Sequence, residues 1–371
     1  MLIKTVRLFS LLVVLSLVAA ACGTPSGTAP TEPVAGADTG GADTGEEPVQ
    51  TAGQGEILQR VLSRGSVVCG VHTELAGFGY LDAAGNNLGF DIDLCRAVAA
   101  AVLGDPTAVE FVPITAADRG PVLQTGEVDL VARNMTLTSK RDAEWGNFTT
   151  TMFYDGQGFM VRAASGISTI EDMNGAAICV TSGTTTESNL AALFADRGLE
   201  YEAVIFEETS AVYSTYDEGR CDVATSDKSQ LAAVRTGLTN PDEHVILDIT
   251  ISKEPLTPAV PHGDDTWFDT VKIVMYALIN AEELGVTQAN VEEMKNSENG
   301  AIRTLLGTGD DWGYVQLGLD ADSMARAIAA VGNYGEIYNR YMGPEGLAFT
   351  LPRGLNELWS NGGLIYAPPV R

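Results

Sequence analysis

Short hydrophobic runs alternate with helical patterns along the chain. Val67–Val71 is a continuous apolar run of the kind that forms a buried strand. The first block predicts, in chain order, a strand over 67–71, a helix over 91–103, strands over 109–112 and 128–132, and between these two strands a helix over 116–125. Gly120 and Pro121 interrupt the pattern of that last helix.

A second block of the same kind begins near residue 176. It predicts strands over 177–181, 201–206, 221–225 and 245–247, with helices between them, the first of which opens at 183–187. From Trp267 onward the chain is mainly helical, which predicts a helical C-terminal extension. Alternating strands and helices are typical of an α/β fold with largely parallel sheets and helices on both faces.

Two extended runs, at 156–161 and 251–260, separate the two blocks. The chain is therefore expected to leave a first lobe, build a second lobe and return. We predict lobe one over 56–160 plus 258–371 and lobe two over 161–257. Two crossings make a hinge, so the ligand site is expected in the cleft between the lobes.

The amino terminus has the pattern of an export signal. A basic start precedes an apolar run at 8–18 that is too short for a mature membrane span, and small residues then precede Cys22. We predict a signal peptide over 1–21 and a bacterial lipoprotein anchor at Cys22; the alternative is an ordinary signal with Cys22 as a stray thiol. Residues 22–55, which are rich in Gly, Thr, Ala and Pro, are predicted to be a disordered linker.

Composition excludes several classes of function. The 371 residues include 22 Lys+Arg and 49 Asp+Glu, a formal net charge of −27. Nucleic-acid binding needs clustered Lys and Arg, so no nucleic-acid partner is expected. Three His residues are too few and too scattered for a zinc site, and no Ser-His-Asp or phosphate-loop pattern occurs. We predict no metal, no cofactor and no catalytic residue.

Four cysteines remain once Cys22 is set aside. Cys69 and Cys95 lie in the first block, and Cys179 and Cys221 lie in the second. An even number of cysteines in an exported protein favours disulfides, and pairing within each block gives 69–95 and 179–221. Four buried free thiols are the alternative.

Several short motifs occur in a fixed order along the chain. They are Gly89-Phe90-Asp91-Ile92-Asp93-Leu94, Gly126-Glu127-Val128-Asp129, Gly183-Thr184-Thr185-Thr186-Glu187 and 219–227. Together they resemble the polar amino-acid substrate-binding proteins of bacterial ABC importers. The stretches at 154–161, 252–256, 277–285 and 363–369 are similar to the general L-amino-acid-binding branch. The resemblance covers about residues 66–371 and implies the two-lobed periplasmic-binding-protein fold, type II.

The resemblance also implies a site that holds both charged ends of an α-amino acid. Arg141 would bind the α-carboxylate, assisted by Thr136 and the backbone near Asn134, because a guanidinium fork matches two carboxylate oxygens. The alternative is a surface Arg paired with Asp142 or Glu144.

The second lobe would supply the other contacts. The resemblance implies that Asp227 accepts the α-ammonium group, with capping of the following helix as the alternative. Helix-mouth contacts are expected from Ser182, Thr184, Thr185 and Thr186. In lobe one, Phe78 is expected to face the ligand side chain, and His72 is a further candidate where relatives that bind basic amino acids often have an acid.

These features together predict an exported, lipid-anchored, monomeric protein that captures L-α-amino acids and delivers them to an ABC permease in the cytoplasmic membrane. Two alternatives share the fold. One is an enzyme similar to cyclohexadienyl dehydratases, and the other is an amino-acid sensor subunit. The side-chain preference of the ligand does not follow from the sequence.

Overall fold

The structure, a computed structural model, describes residues 55–344 and 346–371. The predicted signal peptide, the lipidation site at Cys22 and all of the predicted linker except Gly55 lie outside the described residues. None of the helices in the described ranges is long and apolar enough to cross a membrane.

Most of the strands are short. They are β1 (Val67–Val71), β2 (Glu74–Leu75), β3 (Gly79–Leu81), β4 (Asn87–Leu88), β5 (Val109–Pro113), β6 (Leu130–Val131), β7 (Asn147–Phe148), β8 (Phe153–Asp155), β9 (Gln157–Arg162), β10 (Ala177–Thr181), β11 (Glu202–Phe206), β12 (Val223–Asp227), β13 (His244–Ile246), β14 (Glu254–Leu256) and β15 (Ala259–Val260).

Helices lie between the strands and follow them. They are α1 (Glu56–Arg64), α2 (Phe90–Leu103), α3 (Arg119–Thr125), α4 (Ser139–Glu144), α5 (Thr185–Arg197), α6 (Thr209–Asp217), α7 (Lys228–Arg235), α8 (Asp265–Glu283), α9 (Val291–Met294), α10 (Gly300–Leu305), α11 (Tyr314–Leu317), α12 (Ser323–Val331) and α13 (Tyr334–Met342).

The first sheet has the order β5-β1-β6-β15-β7. Its interior strand β1 is parallel to β5 and β6, whereas β15 is antiparallel to β6 and β7. All five residues of β1 are buried, as its apolar run predicts. Side chains of α2, α8, α12 and α13 pack into the same hydrophobic core, so the predicted helical extension belongs to lobe one.

The second sheet has the order β11-β10-β12-β9-β13. Strand β10 is parallel to β11 and β12, and β9 is antiparallel to β12 and β13. Phe159 and Val161 enter one hydrophobic core, while Met160 enters another on the opposite face. Both faces of this sheet are therefore covered, and the predicted two-lobed α/β fold is confirmed.

A two-stranded antiparallel ribbon of β8 and β14 connects the sheets. It pairs Phe153 with Leu256 and Asp155 with Glu254. Strand β9 already lies in the second sheet, whereas the predicted lobe one extends to residue 160. The crossing comes earlier because β9 pairs with β12 from its first residue, Gln157.

Each lobe holds one disulfide. Cys69 of β1 is bonded to Cys95 of α2, and Cys179 of β10 is bonded to Cys221 just before β12. This pairing confirms the prediction and excludes the alternative of four free thiols. Each bond ties a strand to the element beside it within a single lobe.

The C-terminal extension braces both α2 and the ribbon. Arg340 forms an ion pair with Asp93 of α2, and the Tyr341 hydroxyl donates to the same carboxylate at 2.9 Å. Asn356 binds the backbone of Tyr154 in β8: its Nδ2 donates to the Tyr154 oxygen at 3.0 Å, and its Oδ1 accepts from the Tyr154 nitrogen at 2.6 Å. The extension thus forms hydrogen bonds with the backbone of β8, at the lobe-one end of the hinge.

Two local features differ from the sequence-based expectation. The antiparallel meander β2-β3-β4 was not predicted, because its strands have only two or three residues each. The helix expected over 116–125 begins only at Arg119, and Gly120 and Pro121 fall in its first turn. Proline is tolerated there because the first N–H groups of a helix have no intrahelical acceptor.

Candidate ligand-binding cleft

A small, polar cavity lies between the two lobes. Both lobes contribute to its wall, and Asp227 reaches it from the carboxyl end of β12, where ligand contacts are common in α/β sheets. The lining residues are Ala116, Arg119, Arg133, Asn134, Thr136, Thr181, Thr184, Thr185, Thr186, Thr209, Ser226, Asp227 and Gln230.

Asp227 has an unsatisfied carboxylate oxygen. The residue is only 5% exposed, and its Oδ1 has no hydrogen-bond partner among the described residues. It starts α7 but makes no side-chain capping bond, so the capping alternative does not account for it. Burial raises the pKa of Asp227 well above its usual value, and the nearby Asp155 and Glu254 raise it further, while the charges of Arg119 and Arg141 offset only part of this rise. A cation at this oxygen would relieve both costs.

The two neighbouring carboxylates, in contrast, have partners. Asp155 accepts from the backbone nitrogens of Gly156 at 2.8 Å and Ser229 at 3.2 Å. Glu254 accepts from the Thr185 hydroxyl and from Asn189 Nδ2, each at 2.9 Å. Asp227 is therefore the member of this acidic group that is left to bind something else.

Arg141 lies beside the cavity. It is 7% exposed; its Nη1 donates to the Thr136 oxygen at 3.0 Å and its guanidinium lies 4.6 Å from the ring centroid of Trp145. Among the described residues it forms no ion pair, so the alternative of a surface Arg paired with Asp142 or Glu144 does not describe it. Arg141 does not line the central cavity itself but an adjoining one at the cleft, together with Gly183 to Thr185.

Arg119 is a cavity residue that the sequence analysis missed. It is buried, and its Nε donates to the Ala116 oxygen at 2.8 Å. Its Nη2 and that of Arg141 both lie 3.4 Å from the Gly183 oxygen, so the two guanidinium groups approach the same point of the second lobe. Burial lowers the pKa of Arg119, and the neighbouring charges of Arg141 and Arg133 lower it further.

Arg133, which immediately precedes the predicted polar run, was also missed. Its Nε donates to the Ile114 oxygen at 2.7 Å, and burial lowers its pKa to about 10. The sequence carried one signal for these residues. Each comes directly before a residue named in the sequence analysis: Arg119 precedes Gly120, which interrupts a helix pattern, and Arg133 precedes the candidate site residue Asn134.

Gly120 makes room for an aromatic ring. A Cβ atom at this position would lie 2.7 Å from ring carbons of Trp145, which is closer than side chains pack. Trp145 in turn lies against the guanidinium of Arg141. The absence of a side chain at Gly120 thus serves the placement of Arg141 through the indole ring.

The start of α5 forms another wall of the cavity. The Thr184 hydroxyl caps the helix by accepting from the Glu187 nitrogen at 3.0 Å, and Glu187 Oε2 accepts from the Gly183 nitrogen at 2.9 Å. The helix N-terminus favours an anionic group nearby. Thr184, Thr185 and Thr186 line the cavity as predicted positions, whereas Ser182 is not among the lining residues.

Asn134 has a left-handed backbone with φ of 31°, the one non-glycine residue in the described ranges with positive φ. Its nitrogen donates to Asp91 Oδ2 at 2.7 Å, and its Nδ2 donates to Gln230 Oε1 of the second lobe at 3.1 Å. Asparagine tolerates this conformation better than most residues. The bond to Gln230 joins the two lobes directly.

Further contacts across the cleft show that this is a closed arrangement. The hydroxyls of Thr136 and Thr185 lie 3.4 Å apart, and His72 Nε2 lies 3.3 Å from the Thr209 hydroxyl. His72 is buried, and burial lowers its pKa well below its usual value. His72 therefore contacts the other lobe as a neutral ring and does not itself line the cavity.

Phe78 does not reach the cavity either. It is buried in the aromatic part of the lobe-one core, where its ring centroid lies 5.2 Å from Phe153 and 6.5 Å from Phe90. The expectation that Phe78 faces the ligand side chain is therefore not carried forward. The aromatic ring at this position contributes to core packing.

Comparison with known proteins now identifies the family. Residues 67–306 match the model for bacterial extracellular solute-binding proteins, family 3. The chain belongs to this family. This solute-binding protein is 52% identical over 323 residues to the general L-amino acid-binding periplasmic protein AapJ of Rhizobium johnstonii, covering 86% of this chain and 94% of that protein.

Other relatives agree with this assignment. The glutamate/glutamine/aspartate/asparagine-binding protein BztA of Rhodobacter capsulatus is 46% identical over 325 residues, which cover 87% of the present chain and 96% of BztA. A periplasmic binding protein from Brucella ovis, solved with glutathione bound, is 48% identical with a TM-score of 0.81, covering 85% of this chain and 99% of that one. The solute-binding role and the type II fold are thus established for this protein.

Proposed function

We propose that this solute-binding protein captures L-α-amino acids, closes on them, and delivers them to an ABC import permease. The observation that carries the proposal is the buried, unpartnered Asp227 oxygen in a cleft that also holds guanidinium groups. A zwitterion supplies one cation and one anion at a fixed short distance. AapJ and BztA are named as amino-acid-binding proteins, which supports α-amino acids as the ligand class.

In this proposal Asp227 accepts the α-ammonium group and Arg141 binds the α-carboxylate. Thr136, the backbone near Asn134 and the N-terminus of α5 at Thr185 assist the carboxylate. Closure removes water from around each ion pair and strengthens it, while an unpaired partner becomes costly. Ligand binding would therefore favour the closed form that the contacts across the cleft already outline.

We further propose that the protein is exported and anchored through a lipid on Cys22, so that it works at the outer face of the cytoplasmic membrane or in the periplasm. Membership of an extracellular family and the pattern before Cys22 support this. A Cys22→Ala variant should be released from membranes. If it stays with the membrane after a high-salt wash, the anchor proposal is wrong.

The test of ligand class is a thermal-shift screen of the twenty amino acids and glutathione, followed by calorimetry on each hit. A ligand at about 100 times its dissociation constant should add about 2.7 kcal/mol to the free energy of unfolding. Mass analysis of the bound ligand after incubation separates a binding protein, which returns it unchanged, from a dehydratase-like enzyme. No stabilisation by any α-amino acid would refute the proposal.

A further inference from the structure

The two helices that begin at the cavity, α5 and α7, are capped in different ways. The N-terminus of α5 is capped by the hydroxyl of its own N-cap residue, Thr184. The N-cap position of α7 is held by Asp227, a residue type that strongly favours this position, yet its side chain makes no capping bond. The first N–H groups of a helix have no intrahelical acceptor, so those of α7 depend on acceptors from elsewhere in the protein.

The hinge supplies these acceptors. Lys228 and Ser229 are the first two residues of α7. The Lys228 nitrogen donates to the Gly156 oxygen at 2.9 Å, and the Ser229 nitrogen donates to Asp155 Oδ2 at 3.2 Å. Asp155 thus makes the bond that an aspartate at the N-cap position ordinarily makes, although it lies 74 residues before Ser229 in the chain.

The register of the second sheet explains why the hinge reaches α7. Strand β9 is antiparallel to β12, and its first residue, Gln157, is paired with Asp227, the last residue of β12. The two residues before Gln157 therefore lie where α7 begins. One of them, Asp155, is also the last residue of β8 and is paired with Glu254 of the returning strand β14. The cap of α7 is therefore part of the ribbon that connects the two lobes.

Asp227 could cap α7 if the Asp155 carboxylate were absent. Its backbone, with φ of −54° and ψ of 137°, is non-helical, as is typical of N-cap residues. Rotation of the side chain would turn the carboxylate from the cavity toward the Ser229 nitrogen. Its Oδ1 atom, which has no partner within the described residues, would gain a donor by this rotation. Capping of α7 and binding of a cation in the cavity therefore compete for the same carboxylate.

We propose that Asp155 is a positioning residue, which keeps Asp227 free for the ligand by capping α7 in its place. The carboxylate that touches the ligand and the carboxylate that caps the helix are then two different residues, one in the second lobe and one in the hinge. The inference rests on the proposed function, because it takes Asp227 to be the acceptor of the α-ammonium group.

The first test compares Asp155→Ala with Asp155→Asn by calorimetry. Both variants lose the charge, but asparagine keeps an acceptor oxygen for the Ser229 nitrogen. Asp155→Ala should bind L-glutamate, L-glutamine and L-alanine each about three- to 30-fold more weakly than Asp155→Asn does, the range that corresponds to the free energy of an N-cap. The loss should be the same for all three ligands, since the α-ammonium group is common to them. Equal affinities in the two variants would overturn the inference.

The second test needs no ligand. In the wild-type background Asp227 can replace the missing cap of Asp155→Ala, whereas in the Asp227→Ala protein no side chain can. In urea titrations, Asp155→Ala should therefore raise the equilibrium constant for unfolding by about three- to 30-fold more in the Asp227→Ala protein than in the wild type. Asp155→Asn in the same two backgrounds measures the repulsion between the two carboxylates, and its difference should be smaller. Equal costs of Asp155→Ala in both backgrounds would overturn the inference.

Asp264→Ala is the matched control, because Asp264 is a buried aspartate that caps α8 by accepting from the Trp267 nitrogen at 2.8 Å and does not line the cavity. It should lower the free energy of unfolding by the same amount in both backgrounds and leave the three affinities within about twofold. A loss of affinity as large as that of Asp155→Ala would show that general destabilisation is the cause, and would overturn the inference.

A crystal structure of Asp155→Ala without ligand provides a direct view. It should show an Asp227 carboxylate oxygen about 3 Å from the Ser229 nitrogen. An Asp227 side chain that still faces the cavity there would overturn the inference. Wild-type affinity in Asp227→Ala would instead contradict the proposed role of Asp227 in ligand binding, while the unfolding experiment would still decide whether Asp155 and Asp227 compete for α7.

Discussion

Replacing Asp227 by asparagine should weaken ligand binding and, at the same time, favour closure of the empty cleft. In the closed arrangement one carboxylate oxygen of Asp227 is buried without a hydrogen-bond partner among the described residues. Asparagine keeps the shape of the side chain and removes its charge. The same change therefore removes the attraction for an ammonium group and the cost of closing without one.

The magnitudes follow from the burial of this group. Leaving a buried polar atom unsatisfied costs about 1–3 kcal/mol, and more for a charged one. Asparagine keeps the polar atom and loses only the additional cost of the charge, which at about 1 kcal/mol or more should raise the ratio of closed to open empty protein by about fivefold or more. Removing the partner of the α-ammonium group should weaken the binding of every amino acid by about 2–5 kcal/mol, or about 30- to several thousandfold.

Small-angle scattering measures the first effect, and calorimetry measures the second. The radius of gyration of the empty Asp227→Asn protein should be smaller than that of the wild type near pH 7.5. Because the pKa of Asp227 is raised in the closed form, its cost is present above that pKa and is lost as pH falls through it. The difference in radius between the two proteins should therefore shrink at acidic pH.

Serine at position 226 provides the matched control, because Ser226 also lines the cavity but carries no charge. Ser226→Ala should change neither the radius of the empty protein nor its pH dependence. Wild-type affinity in Asp227→Asn, together with an unchanged radius, would refute both the role of Asp227 and the reasoning from its unpartnered oxygen.

Three further changes test the rest of the site and the fold. Arg141→Ala should weaken the binding of all α-amino acids by about 30-fold or more, as measured by calorimetry. Arg141→Lys should recover little of this affinity, because an ammonium group lacks the planar fork of a guanidinium. Gly120→Ala should displace Trp145 and weaken binding by about tenfold, with a matching change in tryptophan fluorescence. Removing the bond between Cys179 and Cys221, which closes 42 residues, should lower the free energy of unfolding by about 4 kcal/mol in urea titrations while ligand still binds.

Each of these has a contradicting result. Wild-type affinity in Arg141→Ala would show that Arg141 does not bind the α-carboxylate and that another arginine has this role. Unchanged fluorescence in Gly120→Ala would mean that the indole ring does not meet the new methyl group. Loss of all binding in a folded Cys179→Ala/Cys221→Ala protein would show that the bond shapes the cleft as well as stabilising its lobe.

The fold was largely predictable because its strands are continuous apolar runs. Val67–Val71 and 177–181 are buried in the middle of their sheets, so their sequence has to be hydrophobic at nearly every position. Asp227 was also within reach of sequence reasoning, because it ends such a strand. The β2-β3-β4 meander was not, since two-residue strands carry no periodicity to detect.

The arginines of the cavity wall were much harder to predict. Arginine is exposed in most proteins, whereas Arg119 is buried and also approaches the Gly183 oxygen of the second lobe. Phe78 shows the opposite: the sequence predicts a ligand contact, but the side chain packs in the hydrophobic core of lobe one. Asp129 is similar: it lies in a family motif but binds Arg60, Arg64 and the Val68 nitrogen, far from any ligand role. Motif position alone does not separate these cases, because burial is decided by distant segments.

The pairing of Asp155 with Glu254 brings the entrance and exit of the second lobe together at one place. In topological terms residues 157–252 are an insertion, and their removal would leave two ends that a tight turn could join. Each side of that junction has its own hydrophobic core and its own disulfide. Recombination between related genes could therefore exchange the inserted block as a single cassette, renewing the second lobe's side of the cavity wall while the helical surface of the host lobe stays unchanged.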